Sequence, residues 1–158
     1  MYNVLIIRIM KRGLLNKIIV FMCCVMFGTM AYADNDKPIM KGQLPKTAQQ
    51  VIDKNFASKK IAMMTMETGV FDKSYDVVFA DGDKIEFDRK GRWTSVSCRK
   101  QPVPNAFIPA KITSYLKDMY PGVSIRKIEK DDKDYDVELS NGMDITFNKK
   151  FQVIDIDR

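Results

Sequence analysis

Histidine is absent from the 158 residues. Its absence removes the base from any Ser-His-Asp or Cys-His arrangement and takes away the commonest zinc ligand. Cysteine is nearly absent. Of the three, Cys23 and Cys24 lie in an apolar leader, which leaves Cys98 alone, without the partner an internal disulfide needs. Lacking a His base, Cys98 reads as an ordinary residue closing a strand. The glycines stand singly, so there is no phosphate-cradling loop. Nor is there a long apolar run: Ile18 to Met30 falls short of the roughly 20 residues a membrane span needs.

That run has a different reading. Arg8, Lys11, Arg12 and Lys17 precede it and Ala31-Tyr32-Ala33 follows it, the order of a secretory signal peptide cut before Asp34. With the leader gone, 22 cations against 20 acids leave residues 34–158 at +2. So small a net charge, with lysines interleaved among aspartates, gives no field for nucleic acid or an anionic membrane. The protein is expected to be periplasmic or secreted, with no stable membrane insertion after cleavage and no cofactor.

What the chain does have is a repeat. Tyr75 to Lys90, YDVVFADGDKIEFDRK, returns as Tyr135 to Lys150, YDVELSNGMDITFNKK, with seven of sixteen positions identical. Alternating apolar residues on either side of Asp81-Gly82 and Asn141-Gly142 predict β-hairpins with two-residue turns. Upstream of each hairpin a proline opens an amphipathic helix. Ala48, Val51, Ile52 and Phe56 make the stripe after Pro45, and Ile112, Tyr115, Leu116, Met119 and Tyr120 make the stripe after Pro109.

The expected fold is therefore α+β, built as two tandem repeats, each one helix packed on a four-stranded antiparallel meander sheet. The boundaries are 1–33 signal peptide, 34–43 flexible lead-in, 44–98 first repeat, 99–107 linker and 108–158 second repeat. One helix covers one face of four strands, so the other face stays open. Ile154 and Ile156 set the inward parity of the last strand, Thr94 and Val96 are their equivalents, and Trp93 is thereby turned to the open face.

These residues resemble the PepSY-like proteins with a β-lactamase-inhibitor-like fold, secreted by Bacteroidetes and often built from two such repeats. The likeness covers essentially the whole mature chain. It rests on Leu44, Pro45, Ala48 and Ile52 at the helix start, the Tyr-Asp-Val strand, the Asp/Asn-Gly turn, Ile85 with Phe87 and Ile145 with Phe147, and Gly91 with Trp93. In the second copy Phe151 and Val153 stand in place of Gly91 and Trp93. The resemblance implies a non-enzymatic extracytoplasmic binding or inhibitory domain, and its motifs are architectural, so no functional residue is carried over.

Three groups of residues have a chemical reading beside a structural one. Asp131, Asp132, Asp134 and Asp136 supply carboxylates of the kind calcium takes, but the spacing is not an EF-hand loop and Lys130 and Lys133 sit among them; solvated turn charge is the better account. Asp76 and Glu86 form a carboxylate pair, yet Asp76 recurs as Asp136, which the repeated hairpin explains better than acid/base catalysis does. Trp93, with Arg92 beside it and Val78 sharing its outward parity, is the candidate contact surface, since Trp and Arg dominate binding hot spots. The alternative is that Trp93 lies between the repeats and packs them. The expected function is a binding or inhibitory module presenting open sheet faces to an extracytoplasmic protein. The alternative is a small-ligand or lipid carrier lined by Met63, Met64, Met66 and Phe71.

Overall fold

In the computed structural model residues 36–69 and 72–158 are described; the expected signal peptide, residues 1–33, lies outside them. Pro45 and Pro109 open helices α1 (Lys46–Asn55) and α2 (Ala110–Met119). Fixed φ at each proline suits a helix start, where the missing N–H has no intrahelical partner to lose. Ala48, Ile52 and Phe56 are buried from the first stripe, and Ile112 and Leu116 from the second, while Met119 of the expected second stripe points to solvent at 59% exposure.

The strands are β1 (Lys37–Pro38), β2 (Ile61–Thr68), β3 (Lys73–Phe79), β4 (Lys84–Asp88), β5 (Trp93–Ser97), β6 (Ile125–Lys130), β7 (Asp134–Leu139), β8 (Asp144–Asn148) and β9 (Val153–Asp157). They form a single antiparallel sheet in sequence order. The expected pair of four-stranded sheets, each with its own helix, is not what forms. The joint is β5 against β6, where Ser95 faces Glu129, Val96 faces Ile128 and Ser97 faces Lys127. Two separate sheets would leave two more rows of unpaired backbone groups, and joining them satisfies both rows at once. The stretch read as a flexible lead-in is likewise tied down: β1 pairs with β2 through Lys37 and Pro38, opposite Met66 and Thr65.

Both helices lie on the same face of this sheet, and their buried side chains share one core with Val77, Phe79, Ile85, Phe87, Val96, Ile128, Val137, Ile145 and Phe147. Register repeats across the joint. Tyr75 faces Phe87 and Val77 faces Ile85 in the first half, as Tyr135 faces Phe147 and Val137 faces Ile145 in the second. The hairpin turns are one residue longer than expected. Phe79 N–H donates to Asp83 O at 2.8 Å and Leu139 N–H to Met143 O at 2.8 Å, so each loop holds three residues. Gly82 (φ 89°) and Gly142 (φ 80°) take the left-handed position such a loop requires.

Candidate functional site

The turn before β5 is organised by one carboxylate. Asp88 Oδ1 accepts the N–H groups of Lys90 at 2.8 Å and Arg92 at 2.9 Å, while Arg92 Nε donates to Oδ2 at 2.6 Å. Burial opposes ionisation of Asp88, but the bonds from Arg92 and Lys90 outweigh it and hold the carboxyl below its ordinary range. Gly91 follows with φ 75° and lets the chain turn into β5.

Between β4 and β5 the register slips by a bulge, so Glu86 faces Ser95 but Phe87 faces Trp93, and Thr94 is the extra residue. This one residue reverses the expected parity. Trp93 points to the helix side, half-buried against the core, and not to the open face. Phe107 meets its ring edge-on, with centroids 5.5 Å apart, and stacks on Phe56 at 5.7 Å. Lys130, from β6 across the joint, places Nζ 3.7 Å from the centre of the indole. Burial first, then Lys149 and Arg92, lower the Lys130 pKa, with Asp88 acting against them. Lys130 is the residue the sequence reading missed; its signal was the strand pairing of β5 with β6, which the repeat alone does not reveal.

Val78 lies on the opposite face, paired with Met63 and Lys84. The three residues proposed as one surface are thus divided: Arg92 and Trp93 border an open cleft of about 470 Å³ beside α1, and Val78 is on the open face. The methionines divide in the same way. Met64 and Met66 pack on the core while Met63 is 52% exposed on the other side, and Phe71 lies outside the described residues. They do not line one cavity.

The remaining candidates have structural partners. Lys84 Nζ sits 2.6 Å from Asp76 and 2.8 Å from Glu86, so a cation separates the two carboxylates that were weighed as an acid/base pair. Asp131 Oδ1 caps its own turn, accepting from Lys133 N–H at 2.6 Å and Asp134 N–H at 3.0 Å. Among the described residues no three acidic or cysteine side chains converge on a point where a metal ion fits. Burial, and then Asp83, push the buried Cys98 thiol up to about 12, far from the thiolate a nucleophile needs.

Among the described residues the outer face carries no helix. Met63, Val78, Lys84, Glu86, Ser95 and Ser97 lie on it in the first half, and Lys127, Glu129, Asp136, Glu138, Asp144, Thr146 and Asp155 in the second, as the strand registers place them.

Residues 73–155 match a family model described as "Putative beta-lactamase-inhibitor-like, PepSY-like". The chain is similar to a solved structure from Bacteroides vulgatus, described as a "putative periplasmic protein" of the DUF2874 family, at 53% identity and a TM-score of 0.78, over 80% of this chain and 99% of that one. It is similar to a "putative calcium-regulated periplasmic protein" from Bacteroides thetaiotaomicron at 48% identity and a TM-score of 0.77, over 80% and 99% of the two chains. A second Bacteroides vulgatus structure, a "putative periplasmic protein of unknown function", shares 34% identity with a TM-score of 0.74, over 78% and 99%. No curated protein matches.

Proposed function

Because the chain belongs to the PepSY-like family and is a periplasmic or secreted protein, we propose that it is a non-enzymatic binding module whose outer sheet face engages another extracytoplasmic protein. The observation that carries this reading is the extent of that face, open over all nine strands on the side away from α1 and α2. Nine strands about 4.8 Å apart and some five residues long span on the order of 700 Å². A standard protein interface takes about 600 to 1,000 Å² from each partner, so the face falls within that range. Trp93 and Arg92 are on the other side, and we assign Trp93 to holding the two halves together through Phe107 and Lys130.

Calcium regulation, the description given to the Bacteroides thetaiotaomicron relative, has no preformed cluster of three acids to support it here among the described residues. The test is capture from periplasmic and outer-membrane extracts with residues 34–158 as bait, repeated with Val78→Asp on the outer face and with Lys130→Ala beside Trp93. A partner retained by Lys130→Ala and lost by Val78→Asp supports the outer face. The opposite pattern moves the contact to the Trp93 cleft and overturns the proposal.

A further inference from the structure

The two edges of the sheet are unlike. At one, β1 is two residues long and ends in Pro38, which has no N–H to offer a neighbour. Short, proline-bearing edges are closed to further pairing. At the other, β9 runs for five residues, Val-Ile-Asp-Ile-Asp, without proline or glycine, and among the described residues it pairs only with β8.

Its counterpart shows what such an edge accepts. β5 holds the same register against β4 as β9 holds against β8, since Val96 faces Ile85 as Ile156 faces Ile145. The far side of β5 is taken by β6, which lays Lys127, Ile128 and Glu129 opposite Ser97, Val96 and Ser95. Val96, between β4 and β6 and within the core, is 0% exposed, whereas Ile156, in the equivalent place, is 46% exposed. What Ile156 lacks is a neighbouring strand.

The charges specify that neighbour. Asp155 and Asp157 flank Ile156 where the serines flank Val96, and Asp144 stands beside Asp157 on β8. Among the described residues none of these three aspartates has an ion-pair partner. A second copy of β9 would set aspartate against aspartate, and like charges directly opposite each other destabilise a strand pair. We infer that β9 is a docking edge for an extended cationic segment of a partner protein, with an apolar residue opposite Ile156 and Lys or Arg opposite Asp155 and Asp157. Backbone hydrogen bonds supply the affinity and the alternate side chains the selectivity, as in other strand additions. Asp144 and Asp155 also belong to the outer face, but the edge is read by the free backbone groups of β9 whereas the outer-face contact is probed at Val78 on β3, so either contact is lost without the other.

Among the described residues every member of the buried core lies between Leu44 and Phe147, so a chain beginning at Asp34 keeps all of them. That chain is titrated with a labelled Lys-Val-Lys-Ile-Lys-Val peptide, followed by anisotropy and amide exchange. The expected result is salt-sensitive binding that slows exchange in β9, is about tenfold weaker in Asp155→Ser/Asp157→Ser and is lost when the peptide backbone is N-methylated. Binding that survives N-methylation, or that protects the outer face without protecting β9, overturns the proposal. So does the absence of binding at millimolar peptide.

Discussion

At the turn into β5, Gly91 takes φ 75°; at the equivalent turn into β9, Phe151 takes 62°. A Cβ on Gly91 would lie 2.5 Å from Thr47 Oγ1 and 2.8 Å from Pro45 Cβ, because the start of α1 presses on this turn and Thr47 donates to Lys90 O at 2.6 Å. In the second half Phe151 packs on Tyr135 with centroids 5.5 Å apart, and Lys111, the counterpart of Thr47, lies 5.8 Å over its ring. Equal registers thus carry unequal closures, a hydrogen bond on a bare backbone in one half and an aromatic side chain accepting strain in the other. The polar interior differs too. Asp83 is 1% exposed, bonded to Lys59 and to Arg99 N–H, where the second half has Met143 and Val123.

Exchanging residues between the halves tests that inequality, and the largest effect is expected at Asp83. Asp83→Met removes one member of a buried ion pair and leaves Lys59, whose side chain is 23% exposed, with Asp81 alone. The expected loss is about 3 kcal/mol in denaturant unfolding, the low end for a broken buried pair, because Lys59 keeps Asp81 and some contact with solvent. Lys59→Val/Asp83→Met, which copies the second half, should recover most of it, because a packed apolar pair replaces the ionic one. A single variant as stable as the parent would remove the distinction between the halves.

Next is the joint. Trp93→Val, again the second-half residue, empties the space between Phe107 and Lys130. Since the indole is only half-buried, about 2 to 3 kcal/mol is expected, against about 1 for Val153→Ala. Emission from the sole tryptophan, blue-shifted and poorly quenched by iodide, should report the packed position. Gly91→Ala should follow at about 2 kcal/mol, combining a left-handed alanine with the clash against α1. Phe151→Gly should change stability by about 1 kcal/mol or less, since released strain offsets lost packing. If the two turns respond alike, α1 does not press on Gly91 as described.

The sequence was legible where periodicity alone decides the outcome. Proline-opened helices, the hairpin strands and the left-handed turn glycines follow from local chemistry in residues such as Pro45, Tyr75 and Gly82. Two features were hidden because both depend on how one strand meets its neighbour and not on the pattern within it. Pairing of Val96 with Ile128 merges the sheets, and nothing within either copy announces it. The bulge at Thr94 is set by how Phe87 and Trp93 both reach the core, and it moved Trp93 to the other side of the sheet. A period-two reading cannot absorb an extra residue, so every side assigned beyond a bulge is inverted. The same slip separates Phe147–Val153 from Thr146–Asp155, which makes Ile154 the extra residue, 57% exposed and not inward.

The smallest expected effect is at the residue that organises each turn. Asn148 accepts from Lys150 N–H at 2.9 Å and Gln152 N–H at 3.0 Å, as Asp88 accepts from Lys90 and Arg92, so geometry is shared and only charge differs. A carboxyl held below its unfolded pKa stabilises the fold above the unfolded value, near 4, and loses that contribution as pH falls through the folded value. Asp88→Asn should therefore lose that contribution at pH 7, a small one because its partner Arg92 is largely exposed, and should flatten the further loss of stability as pH falls below about 4. The flattening is partial, since hydrogen bonds led by Lys59 at Asp81, and by Lys133 and Asp134 N–H at Asp131, hold those carboxyls low as well. Asn148→Asp, with Gln152 in place of Arg92, keeps the backbone bonds and adds the charge without the guanidinium, and should steepen the acid limb by less than Asp88→Asn flattens it. Melting temperatures across that range for both variants measure the difference. An acid limb unchanged in Asp88→Asn would mean that the turn is held by its geometry alone, and that the charge on Asp88 contributes nothing the asparagine of the second half does not.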